Sequence, residues 1–196
     1  EAWYQITFLC SRADEWNESG STPATALYSC RLDGSGVRRL TFNLSSDYDP
    51  HLLWDGRLVY ASWQRRTLEH GLLGRVVLLE TNLDGTDPAP LCVDSGKRIK
   101  HMACGTAGGL VVFVETDRVD WDGAGTLACV TTRRPLHTYR PLTDSADGLF
   151  HSPSPLPDGT ILVSRRPADG SGTHAVYRFD PVSKRTEMLF DNADHH

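Results

Sequence analysis

Apolar and β-branched residues along this chain come in short runs that recur. The run at 27–32, LYSCRL, is followed by Asp33-Gly34, and the run at 78–83, LLETNL, by Asp84-Gly85. LACVTT at 127–132 and AVYRFD at 175–180 complete a series spaced 48 to 51 residues apart. Each run alternates partly with period 2, the pattern of a strand, and three of the four lead straight into a turn signal. A second series keeps step: ITFLCSR at 6–12, LVYASWQ at 58–64, LVVFVET at 110–116 and ILVSRRP at 161–167. The last three each follow a glycine-bearing turn, Trp54-Asp55-Gly56, Ala107-Gly108-Gly109 or Pro157-Asp158-Gly159. In the third of these, proline presets φ near about −65° and glycine supplies the positive φ that follows, which predicts a type I turn with a bulge. A third and more polar series is VRRLTFN at 37–43, APLCVDS at 89–95, TYRPLTDS at 138–145 and RTEMLFDN at 185–192. A fourth, HLLW at 51–54, KHMACG at 100–105 and HSPSPL at 151–156, precedes the turns.

The unit is therefore four short strands in about 50 residues, with weak helical periodicity. A repeat of that length and content predicts an all-β fold, a β-propeller of four-stranded antiparallel blades. One such sheet cannot bury both its faces, but radially stacked neighbours can. About four blades are visible, near residues 1–43, 49–95, 99–145 and 150–192, forming a single propeller domain or a fragment of one. The first blade lacks its innermost strand. The expectation is thus part of a larger ring of six blades rather than a closed ring of four, with two blade faces left open and apolar.

Composition narrows the function classes. The 196 residues are 39% hydrophobic and 23% charged, with a net charge of −5. The paired arginines at 38–39, 65–66, 133–134 and 165–166 are dispersed among acids, so the basic footprint of a nucleic-acid partner is missing. The apolar runs fall far short of the ~20 residues of a transmembrane helix. Five cysteines stand far apart, without C-x-x-C or C-x-x-C-H, so no zinc knuckle and no attached c-type haem is expected within this segment. Cys10 and Cys30 fall on adjacent predicted strands and could pair in an oxidising compartment. The other reading makes all five thiols small core residues.

Among eight histidines, His51, His101 and His151 recur at intervals of 50, each at the start of a predicted innermost strand. Innermost strands line a propeller's channel. The three imidazoles are therefore candidate ligands for a divalent metal, with a polar channel lining as the preferred reading. A one-residue slip in register would turn any of them away. Asp191, Asp194, His195 and His196 form a second cluster of ligand-type residues. Candidate binding loops carry Trp16 and Trp121 in polar surroundings, and Arg65, Arg66 and His70 in the long stretch RRTLEHGLLG. Long loops on a rigid scaffold are where partners are usually met. No Gly-x-Ser-x-Gly elbow occurs, and no catalytic residue is assigned.

The stretch from Leu27 to Trp63 resembles the TolB-type propeller repeat. Asp33-Gly34-Ser35-Gly36, Arg38-Arg39-Leu40-Thr41 and Asp55-Gly56 match its turn, outer strand and hairpin. Leu53-Trp54 departs from the Ser-Pro usual there, and TAGGLVVF in the third blade departs further. Residues 148–196, with SPSPLPDGTILVS and a trailing Asp/His-rich segment, resemble the middle domain of hydrazine synthase alpha subunit-like proteins. That resemblance implies a bacterial periplasmic or envelope protein, in which a six-bladed propeller lies between other domains and some members carry haem motifs outside it. It does not imply hydrazine synthesis by this segment.

Three functions are compatible with these residues. The first is a non-catalytic scaffold that meets a protein partner or the flanking domains of the same polypeptide. The second is the structural propeller of a multi-haem redox enzyme, with haem in flanking domains. The third is a propeller lyase or hydrolase with a channel metal, which requires His51, His101 and His151 to converge.

Overall fold

A computed structural model describes residues 5–18, 20–65, 67–69, 71–117 and 122–191. The strands follow the repeat. β1 (Gln5–Trp16), β2 (Pro23–Arg31) and β3 (Arg38–Arg39) form the first blade, in that order, with no innermost strand among the described residues. β4 (Ser46–Leu52), β5 (Arg57–Gln64), β6 (Arg75–Asn82) and β7 (Ala89–Pro90) form the second. β8 (Ile99–Gly105), β9 (Leu110–Thr116), β10 (Thr126–Thr131) and β11 (Arg140–Pro141) form the third. β12 (Leu149–Pro155), β13 (Ile161–Arg166), β14 (Ala175–Phe179) and β15 (Thr186–Phe190) form the fourth. Every pairing within a blade is antiparallel, and one parallel bridge, Val76 to Ile99, joins the second blade to the third.

Alternation explains the stacking. Along β5, Leu58 and Tyr60 point into a core shared with Leu27 and Leu40 of the first blade. Val59 and Ala61 point the other way, into a core with Val111, Phe113 and Ala128 of the third. Along β9, Val111 and Phe113 join that core, while Val112 and Val114 join the next, with Phe150, Ile161 and Phe179 of the fourth blade. Successive side chains on a strand face opposite ways. A central strand stacked on both sides must therefore be apolar throughout, and β9 is buried from Val111 to Val114.

The hairpin turns have the expected form. Leu156 N–H bonds Thr160 O at 2.8 Å and Gly159 N–H bonds Leu156 O at 3.0 Å, with Gly159 at φ 86°. The aspartate before each glycine accepts from a backbone N–H two residues on: Ser35, Arg57, Thr86 and Thr160 donate to Asp33, Asp55, Asp84 and Asp158. Those Asx bonds are why Asp-Gly marks the repeat.

Two expectations are corrected. The outer strands at 37–43, 89–95 and 138–145 shrink to two residues each. Leu40, Leu91 and Leu142 N–H groups still bond Leu27, Leu78 and Leu127 carbonyls, and the chain then turns to the next blade. In the first and third blades the threonine of the Leu-Thr pair completes the edge, Thr41 and Thr143 hydroxyls accepting from Leu27 and Leu127 N–H at 3.1 and 2.8 Å. The Cys10–Cys30 pairing also fails. Cys10 lies opposite Ala26 and Cys30 opposite Ile6, four residues out of register. At ~3.4 Å per residue that is beyond disulfide reach, and all five thiols are free.

Candidate functional site

Antiparallel order puts the strand ends that flank the hairpins between second and third strands (Trp16 and Pro23, Gln64 and Arg75, Thr116 and Thr126, Arg166 and Ala175) on one face, together with the connections from blade to blade. The short Asp-Gly turns occupy the other face. Around the axis on the loop-bearing face, each innermost strand has the same irregularity. Tyr48 pairs with Ala61 and His51 with Val59; His101 pairs with Val114 and Cys104 with Val112; His151 pairs with Ser164 and Ser154 with Leu162. Two residues stand against one, a β-bulge. The first residue of each pair lies at positive φ: Asp49 at 52°, Met102 at 52° and Ser152 at 49°.

The bulges fix the true equivalences. His101 and His151 share a register position, and its counterpart in the second blade is Tyr48. His51 lies three residues further on, across the bulge, where the third and fourth blades have Cys104 and Ser154. The equal intervals of 50 do not place His51 beside the other two. Among the described residues no group of three or more His, Cys, Asp or Glu stands close enough to hold a metal ion.

Other residues join His101 and His151. His101 is buried, and its Nε2 donates to Gly123 O at 2.8 Å. Its Nδ1 faces Asp49 Oδ2 of the second blade at 3.8 Å. Burial pulls the His101 pKa below its ordinary value, against the upward pull of the Gly123 bond and Asp49. His151 Nδ1 meets Ser152 Oγ at 2.7 Å, and its ring centroid lies 5.7 Å from that of His174. His174 Nε2 donates to Asp122 Oδ2 at 2.8 Å. Arg166 binds both oxygens of the same carboxylate, Nε to Oδ2 at 2.8 Å and Nη2 to Oδ1 at 3.1 Å. Sequence reasoning missed Asp122, Arg166 and His174, which lie 44 and 52 residues apart in pairs and carry no local motif.

A cavity of about 350 Å³ opens beside His101 between the second and third blades, lined mainly by Tyr48, Trp63, Val76, Arg98 and Ile99. Of the predicted loop residues, Trp16 ends β1 with 57% of its surface exposed, and Arg65 stacks its guanidinium 4.9 Å from the Trp63 ring. Leu68, Leu72 and Leu73 of the same loop are exposed. Arg66, His70, Trp121, Asp194, His195 and His196 lie outside the described residues.

No protein-family model matches the chain. Over 135 residues, 65% of its length, it is 37% identical to hydrazine synthase subunit alpha of Kuenenia stuttgartiensis, and the match spans 17% of that protein. The solved structure of Kuenenia stuttgartiensis hydrazine synthase superposes with a TM-score of 0.79 at 27% identity, covering 97% of this chain and 28% of that one. TolB from Acinetobacter baumannii superposes with a TM-score of 0.66 at 13% identity, covering 96% of this chain and 41% of that one, a likeness of fold. The resemblance read from the repeat is borne out: the fold is that of a TolB-like propeller, and hydrazine synthase subunit alpha contains a homologous stretch.

Proposed function

We propose that this chain is a non-catalytic propeller module of a larger protein, and that its loop-bearing face positions neighbouring domains of the same polypeptide. One observation carries the reading: among the side chains suited to chemistry near the axis, His101, Asp122, Arg166 and His174 are engaged in holding hairpins and blades together. His101 ties the third blade's inner strand to its own hairpin and faces Asp49 of the second. Arg166 and His174 of the fourth blade both hold Asp122 of the third. The exposed leucines of the second blade's hairpin, Leu68, Leu72 and Leu73, supply the docking surface.

A second reading, the structural propeller of a multi-haem redox enzyme, is favoured by the identity with hydrazine synthase subunit alpha. The residues of this chain do not fit the haem itself. Its thiols stand singly, without C-x-x-C-H, and Cys104 and Cys129 are buried in the blade cores. Neighbouring domains would hold the group, and the propeller's part would be to fix their spacing. Finding C-x-x-C-H motifs elsewhere in the parent gene supports this reading, and a parent gene without them removes it. The family resemblance supports a bacterial periplasmic or envelope setting, which fractionation of the source cells tests.

The scaffold reading is tested by producing the other domains of the parent polypeptide separately and titrating the chain onto them in an analytical ultracentrifuge. Leu68→Asp with Leu72→Asp is expected to weaken association by at least about tenfold, as loss of central apolar anchors does. His101→Gln with His151→Gln is expected to leave it unchanged. Loss of association in the histidine variant alone would sink the proposal.

A further inference from the structure

The cavity beside His101 is almost wholly apolar, and its walls are fastened in place. Val76 and Ile99, the two residues of the parallel bridge between the second and third blades, both line it, and Tyr48 and Trp63 line it from the second blade. Leu73 and Gly74, at the end of the second blade's long hairpin, line it too. Both are pinned. Trp63 Nε1 donates to Leu73 O at 2.8 Å, and Arg98 Nε donates to Gly74 O at 2.7 Å. An added Cβ at Gly74 would run into Gln64 O, so the base of the hairpin is closed as tightly as backbone allows.

The polar side chains of the lining are occupied elsewhere. Arg98 holds Gly74, Arg75 bonds Gln64 Oε1 at 3.3 Å and faces Asp94 at 3.6 Å, and His101 Nε2 donates to Gly123 O at 2.8 Å. A site for a free small molecule has a few polar groups that orient its ligand. A wall made almost entirely of carbon cannot do that. A side chain that enters from a docked surface needs no such help, because its own backbone and the contacts around the mouth orient it. The mouth is where a docking surface already lies. Leu73, which lines the cavity, is also one of the exposed leucines of the hairpin, with Leu68 and Leu72. The cavity and the leucine surface meet at that residue.

We propose that this cavity seats an anchor: an aromatic side chain of a neighbouring domain of the same polypeptide, inserted against Trp63, Val76 and Ile99 when that domain docks on Leu68, Leu72 and Leu73. The proposal rests on the module reading above and names what the docked domain must carry. The volume, about 350 Å³, suits one large side chain. Tyr48 and Trp63 give it aromatic neighbours. A charged occupant is disfavoured, because a buried charge without a partner is costly. In hydrazine synthase subunit alpha most of the polypeptide lies outside the matched stretch. A domain tethered in that way needs little intrinsic affinity from its anchor.

Two probes test the cavity by nuclear magnetic resonance of the isotope-labelled 196-residue chain. They are 3-methylindole, the side chain of tryptophan, and indole-3-acetate, which puts a carboxylate on the same ring. Saturable shifts at the Trp63, Val76 and Ile99 amides are expected with 3-methylindole, and binding at least about tenfold weaker with the acid. Ile99→Trp fills the cavity from its own wall. It is expected to abolish uptake of 3-methylindole and to weaken association with the separately produced domains by at least about tenfold. Tyr48→Trp fills it from the other blade and serves in its place if Ile99→Trp unfolds. Leu68→Asp with Leu72→Asp is expected to weaken association but leave 3-methylindole binding unchanged, because neither residue lines the cavity. No saturable uptake of 3-methylindole, an acid that binds as tightly, or full association in a filled variant each overturns the anchor and leaves the module reading standing. A wild-type chain that associates with none of the domains overturns the module reading and the anchor with it.

Discussion

Asp122 and Arg166 meet across the boundary of the third and fourth blades in a two-point contact, at 2.8 and 3.1 Å, with side chains only 5% and 2% exposed. Asp122 follows β9 in the third blade's hairpin, and Arg166 closes β13 in the fourth. Burial alone would raise the Asp122 pKa. The Arg166 bonds, the Ala124 N–H and His174 outweigh it and hold the carboxyl far below the ordinary range. The contact fastens one blade's hairpin onto the next, close to where Gly125 and Phe150 exchange backbone hydrogen bonds at 3.0 and 2.7 Å.

Breaking that pair from one side leaves a buried guanidinium without its carboxylate. Asp122→Asn is expected to lower unfolding free energy by about 3–5 kcal/mol, measured by urea denaturation. The double variant Asp122→Leu/Arg166→Met removes both charges and is expected to recover most of that loss. A double variant as unstable as the single one would show that the pair is not the source. The pH dependence has a definite sign. The folded carboxyl is depressed below the unfolded value of 3.8, so its contribution is present above that value and drains away as pH falls below it.

His101 gives a second pH effect at higher pH. Its pKa is lowered from 6.5, first by burial and also by the nearby His151, against Gly123 and Asp49. The unfolded chain therefore takes up a proton before the folded one does. Stability from this residue is complete above pH 6.5 and falls with pH below it, toward the folded pKa. His51, also lowered by burial, adds to the same slope. Urea midpoints measured between about pH 7 and 5 are expected to decline in the wild type and to decline less in His101→Gln. An unchanged slope in that variant would assign the effect elsewhere.

Gly123 and His101 are matched in shape as well as bonded. Gly123 lies at φ +69°, and an added Cβ would come within 2.7 Å of the imidazole. Gly123→Ala is expected to cost about 1–3 kcal/mol, from strain at positive φ and from the displaced ring. His101→Ala removes the steric part, so the two changes together are expected to cost less than their sum by about 1 kcal/mol. Strict additivity in a double-mutant cycle would mean that the ring yields without cost.

The blades, their order and their Asp-Gly turns were legible in the sequence because each depends on local chemistry: alternation, Asx bonds and glycine at positive φ. The bulges were not. Tyr48-Asp49-Pro50 and His101-Met102-Ala103 share no residue that announces positive φ at the middle position. The histidine alignment failed for a traceable reason. Ala61 pairs with Leu78 in the second blade but Val114 with Leu127 in the third, so four more residues intervene in the second blade's hairpin. The stretch RRTLEHGLLG, long for a blade hairpin, carries those four extra residues. It shifts the repeat enough for a constant interval of 50 to select His51 in place of Tyr48. Asp122, Arg166 and His174 were invisible for another reason: what each does depends on a neighbour dozens of residues away in the adjacent blade.

The bulge itself makes a prediction at Met102, whose φ of 52° few non-glycine residues adopt. Its side chain packs partly buried against the third core, and its Sδ accepts from Ser152 N–H at 3.4 Å, so it links successive bulges. Met102→Gly relieves the backbone but loses those contacts, and the two terms oppose each other. Met102→Val keeps an apolar side chain but places a β-branched residue in the left-handed region, where it is least tolerated. Valine is therefore expected to be less stable than glycine by about 1–3 kcal/mol in urea unfolding, although it retains more apolar surface. Side-chain burial alone predicts the reverse order. If valine proves the more stable, the strand has straightened, and His101 and His151 should then no longer share a register position.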